Sequence, residues 1–156
     1  MRRKQKIRSS IKPDSVYKSE SVSKFINYVM ESGKKNIART VVYGALNEIK
    51  EKAKTDKPEE VFENALNNVG PLTEVRSRRI GGATYQVPRE VKQNRRMALA
   101  MRWLILAAKS KKGQPMAKKL ADEIILANKN EGEAFKKKEN THKMAEANRA
   151  FAHFAW

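Results

Sequence analysis

The hydrophobic period of this chain changes twice, and that change constrains the fold more than any other feature. Apolar residues recur at helical spacing from Glu20 to Val69, alternate at a spacing of two between Leu72 and Val87, and return to helical spacing after Pro88. Val22, Phe25, Ile26, Val29 and Met30 stand at i, i+3, i+4, i+7 and i+8, which predicts a first helix stopped by Gly33. Ile37, Ala38, Val41, Val42, Ala45, Leu46 and Ile49 repeat the stripe in a second. Pro58 opens a third at the position where its missing N–H costs nothing, and Glu59 and Glu60 complement the helix dipole. That helix carries Val61, Phe62, Ala65, Leu66 and Val69 and ends at Gly70-Pro71.

The alternating stretch is divided by Gly81-Gly82, and two extended runs around two glycines predict a hairpin whose turn needs positive φ. That turn would pair Ile80 with Ala83, Arg78 with Tyr85 and Arg76 with Val87 on one side, and Arg79 with Thr84 and Ser77 with Gln86 on the other. Neither face reads as a clean apolar surface. Beyond Pro88, Arg95 to Lys109 is apolar almost all the way round, the mark of a core helix. Met116, Leu120, Ala121, Ile124 and Ile125 define a fifth helix, and a sixth runs from about Glu133 towards Ala150. The expected fold is mainly α: a bundle-like body of six helices with an inserted two-stranded β-hairpin arm at about 72–88. Residues 1–12 form a basic, disordered arm and 13–156 a single helical domain.

Charge directs the functional reading. Thirty-four Lys and Arg against 17 Asp and Glu leave a net charge of +17, which implies a polyanionic partner. The arm alone holds Arg2, Arg3, Lys4, Lys6, Arg8 and Lys12, with only Ile7 and Ile11 as aliphatic anchors. Arg76, Arg78 and Arg79 lie on the ribbon, Tyr85 either stacks on a base or fills the ribbon surface, and the Gly81-Gly82 tip can approach a bound backbone. Arg95, Arg96 and Arg102 flank the core helix, and Lys136, Lys137 and Lys138 open the last one. Trp103 and the six methionines read as packing residues.

Catalysis has little material. There is no cysteine, and Asp occurs only at 14, 56 and 122. His142 and His153 are eleven residues apart, about 16 Å along one continuous helix, too far to share a metal ion. No enzyme, cofactor or small-molecule substrate is expected. The longest apolar run, Trp103 to Ala108, falls far short of the roughly 20 residues that span a bilayer, and no secretory leader precedes the body, so a cytoplasmic, membrane-free protein is expected. An architectural DNA-binding protein with a basic β-ribbon is the rival reading, but a glycine tip offers no wedge residue to drive between bases.

Longer strings of residues carry a resemblance. Gly81-Gly82-Ala83-Thr84-Tyr85-Gln86-Val87-Pro88, then Arg95-Arg96 and Leu99-Ala100-Met101-Arg102-Trp103-Leu104, resemble the bacterial small-subunit ribosomal protein S-seven family. So do Lys24-Phe25-Ile26-Asn27 with Gly33-Lys34-Lys35, and Lys136 to Glu139 leading into Met144 to His153. The resemblance implies a primary binder of the 3′ major domain of small-subunit ribosomal RNA that organises head assembly, whether in a bacterial or an organellar ribosome. It adds Lys34 and Lys35 to the ribosomal RNA set of arm, Arg76, helix-borne arginines and Lys136 to Lys138. It implies that Arg78, Arg79, Gly81, Gly82, Tyr85, Arg149 and Trp156 lie near exit-site transfer RNA and messenger RNA, with ribosomal protein S-eleven as a neighbour. The chain departs from the family pattern at Asp14-Ser15-Val16-Tyr17, where Asp-Pro is usual and a rigid turn is lost. It departs again at Phe154-Ala155-Trp156, where an arginine is lost, and at Asn140, commonly an acid.

Overall fold

The computed structural model describes residues 11–154. Of the expected arm, positions 1–10 lie outside the described residues, as does Trp156. The chain runs α1 (Glu20–Val29), α2 (Lys35–Ala53), α3 (Pro58–Val69), β1 (Thr73–Ile80), β2 (Ala83–Glu90), α4 (Gln93–Ser110), α5 (Met116–Asn128), α6 (Glu133–Ala147) and a short 3-10 helix (Arg149–Phe154). All six predicted helices and the hairpin are present, and the strand register is the one the glycine turn dictates.

Local chemistry explains the boundaries. Ser19 Oγ accepts from Val22 N at the start of α1, and Pro58 opens α3 with Glu59 and Glu60 in its first turn. Two boundaries differ from expectation. Strand β2 continues through Pro88 to Glu90, because every strand of a two-stranded ribbon has an open edge on which a missing N–H goes unnoticed. Helix α6 stops at Ala147 and tightens into the 3-10 turn, so the two histidines do not share one continuous helix.

The core gathers where the helical stripes meet. Phe25 and Phe62 pack at a ring separation of 4.9 Å among Ile26, Leu46, Ile49, Leu66, Met101, Leu104, Leu120 and Ile124, all buried. Helix α4 shares the centre with α5, which touches α2, α3, α4 and α6. The apolar surface of α4 does not close all the way round: Leu106 is 58% exposed and Trp103 sits half-buried at the core edge.

Among the described residues three acids are buried, and two of them organise backbone. The Asp14 carboxylate accepts from Val16 N (3.1 Å), Tyr17 N (3.3 Å) and the Tyr43 hydroxyl (2.8 Å), so a side chain makes the turn that the absent proline would have made. Burial pushes the Asp14 pKa up, but these donors and the Arg39 charge outweigh it, leaving the group below the ordinary carboxylate value. Glu123 Oε1 accepts from Ala134 N (3.0 Å) and caps α6 from a neighbouring helix. Its Oε2 has no aligned donor, yet Lys111 Nζ stands 2.6 Å away, so charge pairing compensates that oxygen. The third acid, Glu74, belongs to the ribbon.

Candidate nucleic-acid interface

Strand alternation gives the ribbon two unlike faces. On one face Glu74 and Val87 are buried and Arg78 and Tyr85 half-buried; on the other Ser77, Arg79, Thr84 and Gln86 are exposed. A side-chain pair stiffens the open face, where Gln86 Nε2 donates to Ser77 Oγ at 2.9 Å. Gly81 (φ 55°) and Gly82 (φ 90°) make the tip, and a Cβ at either would meet nothing within 4 Å.

The base of the ribbon is locked in part by Arg95, Arg96 and Lys138, three groups expected to contact RNA. Glu74 receives Arg89 (Nη2, 2.7 Å) and Arg95 (Nε, 2.8 Å). Arg96 donates to the carbonyls of Gly70 (3.2 Å) and Asn67 (2.9 Å), and Lys138 Nζ donates to that of Asn68 at 2.7 Å. Gly70 is required here because a Cβ would come within 2.7 Å of Arg96 Cγ. His142 Nε2 accepts from Leu72 N at 3.0 Å; burial first, then the charges of Lys138 and Arg96, lower its pKa and favour the neutral acceptor form. Burial likewise lowers Lys138, again with Arg96 adding to it. Arg95, Arg96 and Lys138 thus fasten the segment entering the ribbon to α4 and α6.

The outer half leans on the C-terminal segment. Tyr85 packs against Phe151 (5.4 Å) and Phe154 (5.2 Å), and Arg78 Nη1 donates to the Phe154 carbonyl at 3.0 Å. Tyr85 therefore fills the ribbon surface with partners supplied by the chain itself. Arg78 and Arg79, adjacent in sequence and paired in expectation, part company: the first is tied inward, the second faces solvent.

The remaining candidates are spread over the body. Lys12, Lys34, Lys35, Arg76, Lys137 and Arg149 are exposed. Lys136 pairs with Glu133 at 2.9 Å, and the Arg102 guanidinium lies 5.6 Å from the Tyr28 ring centre. Lys34 and Lys35 stand at the uncapped start of α2, where the helix dipole repels cations; an anion placed there would relieve both. Among the described residues no cluster of three or more potential ligands could hold a metal ion, and no helix is long and apolar enough to cross a membrane.

A helical body carrying one arginine-bearing ribbon has the build of a structural ribonucleoprotein component, and comparison with known proteins puts the chain among the ribosomal proteins. The family model described as ribosomal protein S7p/S5e matches residues 1–149, and the chain belongs to that family. Small ribosomal subunit protein uS7 of Thermotoga neapolitana is 59% identical to it over 156 residues, covering all of both chains. The protein of the same description in Thermotoga maritima is 58% identical over the same span. That of Francisella tularensis subsp. holarctica is 54% identical over 155 residues, 99% of each chain. These relatives are structural ribosomal proteins, and the chain is not an enzyme.

Proposed function

We propose that the protein is a cytoplasmic ribosomal component of the small subunit that binds the 3′ major domain of ribosomal RNA as a primary binder and nucleates assembly of the head. The open ribbon face, with Arg79 and a bare glycine tip above a firmly anchored base, is the observation that carries this reading. Full-length similarity to small-subunit proteins supports it. The ribbon tip and the 3-10 segment with Arg149 lie near exit-site transfer RNA and messenger RNA, with ribosomal protein S-eleven as a neighbour. A free glycine tip with no wedge argues against architectural DNA bending.

Phosphate neutralisation sets the affinity. If about ten phosphates are engaged, log K for a 3′ major domain transcript falls with log salt at a slope of roughly −7 to −9. A slope shallower than about −2 in a salt titration would overturn the electrostatic reading.

The two ribbon arginines separate in the same experiment. Arg79→Ala is expected to leave stability within about 0.5 kcal/mol, as for an exposed side chain, and to leave the slope for the ribosomal RNA transcript unchanged. It should leave subunit assembly near normal and weaken retention of deacylated transfer RNA in the exit site. Arg78→Ala is expected to loosen the 3-10 segment, read as faster amide exchange over 149–154. Equal effects of the two changes on both measurements would sink the division.

A further inference from the structure

The groove between α1 and α4 has the chemistry of a seat for one unstacked base. Its volume is about 460 Å³, within the range of small-ligand sites. Met97 and Ala98 of α4, over the buried Met101, give it an apolar floor. Tyr28, 38% exposed although its ring would gain by burial, stands at the wall. Asn27 from α1 and Asn94 from α4 bring a carboxamide each to the same groove, and neither side chain has a hydrogen-bond partner among the described residues. A carboxamide offers a donor and an acceptor side by side, the complement of a base edge.

Charge selects among occupants. No acid is among the lining residues; Lys24 is, sharing its ammonium with the exposed Glu20 carboxylate at 3.5 Å, and Arg102 stands against the Tyr28 ring. Ile11 closes one end. An apolar side chain from a protein partner would fill the floor and leave the two carboxamides unanswered. A nucleotide answers floor, carboxamides and cations: its ring lies on the floor against Tyr28, its edge meets Asn27 and Asn94, and its phosphates meet Lys24 and Arg102. The contrasting groove between α1, α2 and α4 carries the Glu31–Lys109 ion pair on its lining and presents no such set.

The geometry points to a base-specific subsite in this groove that takes a single nucleobase extruded from a loop or bulge of the bound ribosomal RNA. It rests on the ribosomal RNA reading above and adds to it a contact that is read from a base, where phosphate contacts carry no sequence. The groove is lined from the helical body and takes no residue from the ribbon, which assigns it to ribosomal RNA and not to a passing transfer RNA.

The test uses the full-length protein and a 3′ major domain transcript. Wild type, Tyr28→Leu and Asn94→Ala are titrated across salt, and the RNA in each complex is probed with dimethyl sulfate and a carbodiimide. Stacking and edge contacts predict about a five-fold or larger loss of affinity at every salt concentration with an unchanged salt slope. One base protected in the wild-type complex should become reactive in both variants. Melting temperatures close to wild type are expected, since both side chains are at the surface. Affinity within two-fold of wild type, a slope that falls along with affinity, or an unchanged probing pattern would each overturn the base seat. Failure of the wild-type protein to bind the transcript would instead overturn the ribosomal RNA reading itself.

Discussion

Replacing Glu123 by alanine is expected to destabilise the protein by about 2–4 kcal/mol, the largest loss among the three buried acids. The carboxylate is wholly buried, caps Ala134 N at the start of α6 and stands 2.6 Å from Lys111 Nζ. Its removal costs the cap, about 1 kcal/mol, and leaves a cavity and an unpaired ammonium. Lys111 keeps 30% of its side chain in water, so the ammonium turns outward and the loss stays below that of a fully buried pair. Thermal melting should fall by roughly 5–15 °C. Two controls make the assignment specific. Glu123→Gln keeps the acceptor and should lose about half as much, and Lys111→Met combined with Glu123→Leu should recover most of the stability. Gly132→Ala should fail for a related reason, because its φ is 93° and its Cβ would fall 2.7 Å from Glu123 Oε1. A loss under about 0.5 kcal/mol for Glu123→Ala would refute the structural role, since that is the range of ordinary surface changes.

Glu123 also marks where the sequence stops being legible. Its position among Leu120, Ala121, Ile124 and Ala127 puts it on the buried face of α5, but nothing local says that a lysine 12 residues earlier and a backbone N–H 11 residues later meet it there. Asp14 is the same case, since its turn is completed by Tyr43 from α2. Helix stripes and hairpin register were readable because each depends on neighbours in the chain. The fate of the basic residues was not, because a cation on a helix surface looks alike whether it meets a phosphate or a carbonyl. Arg96 and Lys138 meet carbonyls of the last turn of α3 and of Gly70 just after it, which lie 26 or more residues away in sequence. One signal was available: with Arg78 opposite Tyr85, the same register sets Glu74 opposite Arg89, an acid and a base side by side at the foot of the ribbon.

That pair defines the other large effect, a local opening of the ribbon in Glu74→Gln. Burial pushes the Glu74 pKa up, but the hydrogen bonds and charges of Arg89 and Arg95 outweigh it, and the carboxyl titrates below its ordinary value of 4.5. A folded-state pKa that is depressed means stability fully present at neutral pH and lost as pH falls through the folded value. Removing the charge at pH 7 leaves two guanidinium groups facing each other without a counter-ion, and charged hydrogen bonds of this kind contribute about 1.5–3 kcal/mol. The arginine side chains are 39% and 50% exposed, so water takes up part of the loss and the lower end is expected. Helices α2 and α5 pack against one another and against other helices, away from the two strands, so the effect should be confined. Amide exchange over 73–90 should therefore quicken about tenfold or more in Glu74→Gln at pH 7, while α2 and α5 keep their protection. Wild type should reproduce that opening only in acid, below pH 4.5, and the variant should show no further acid step of its own at the ribbon. Ribosomal RNA affinity should fall with the opening even though the change adds net positive charge, because a ribbon that no longer holds its angle cannot keep the exposed Arg76 in register with the helix-borne arginines. Tighter binding by the variant would mean that the freed arginines, and not the fixed ribbon, determine recognition.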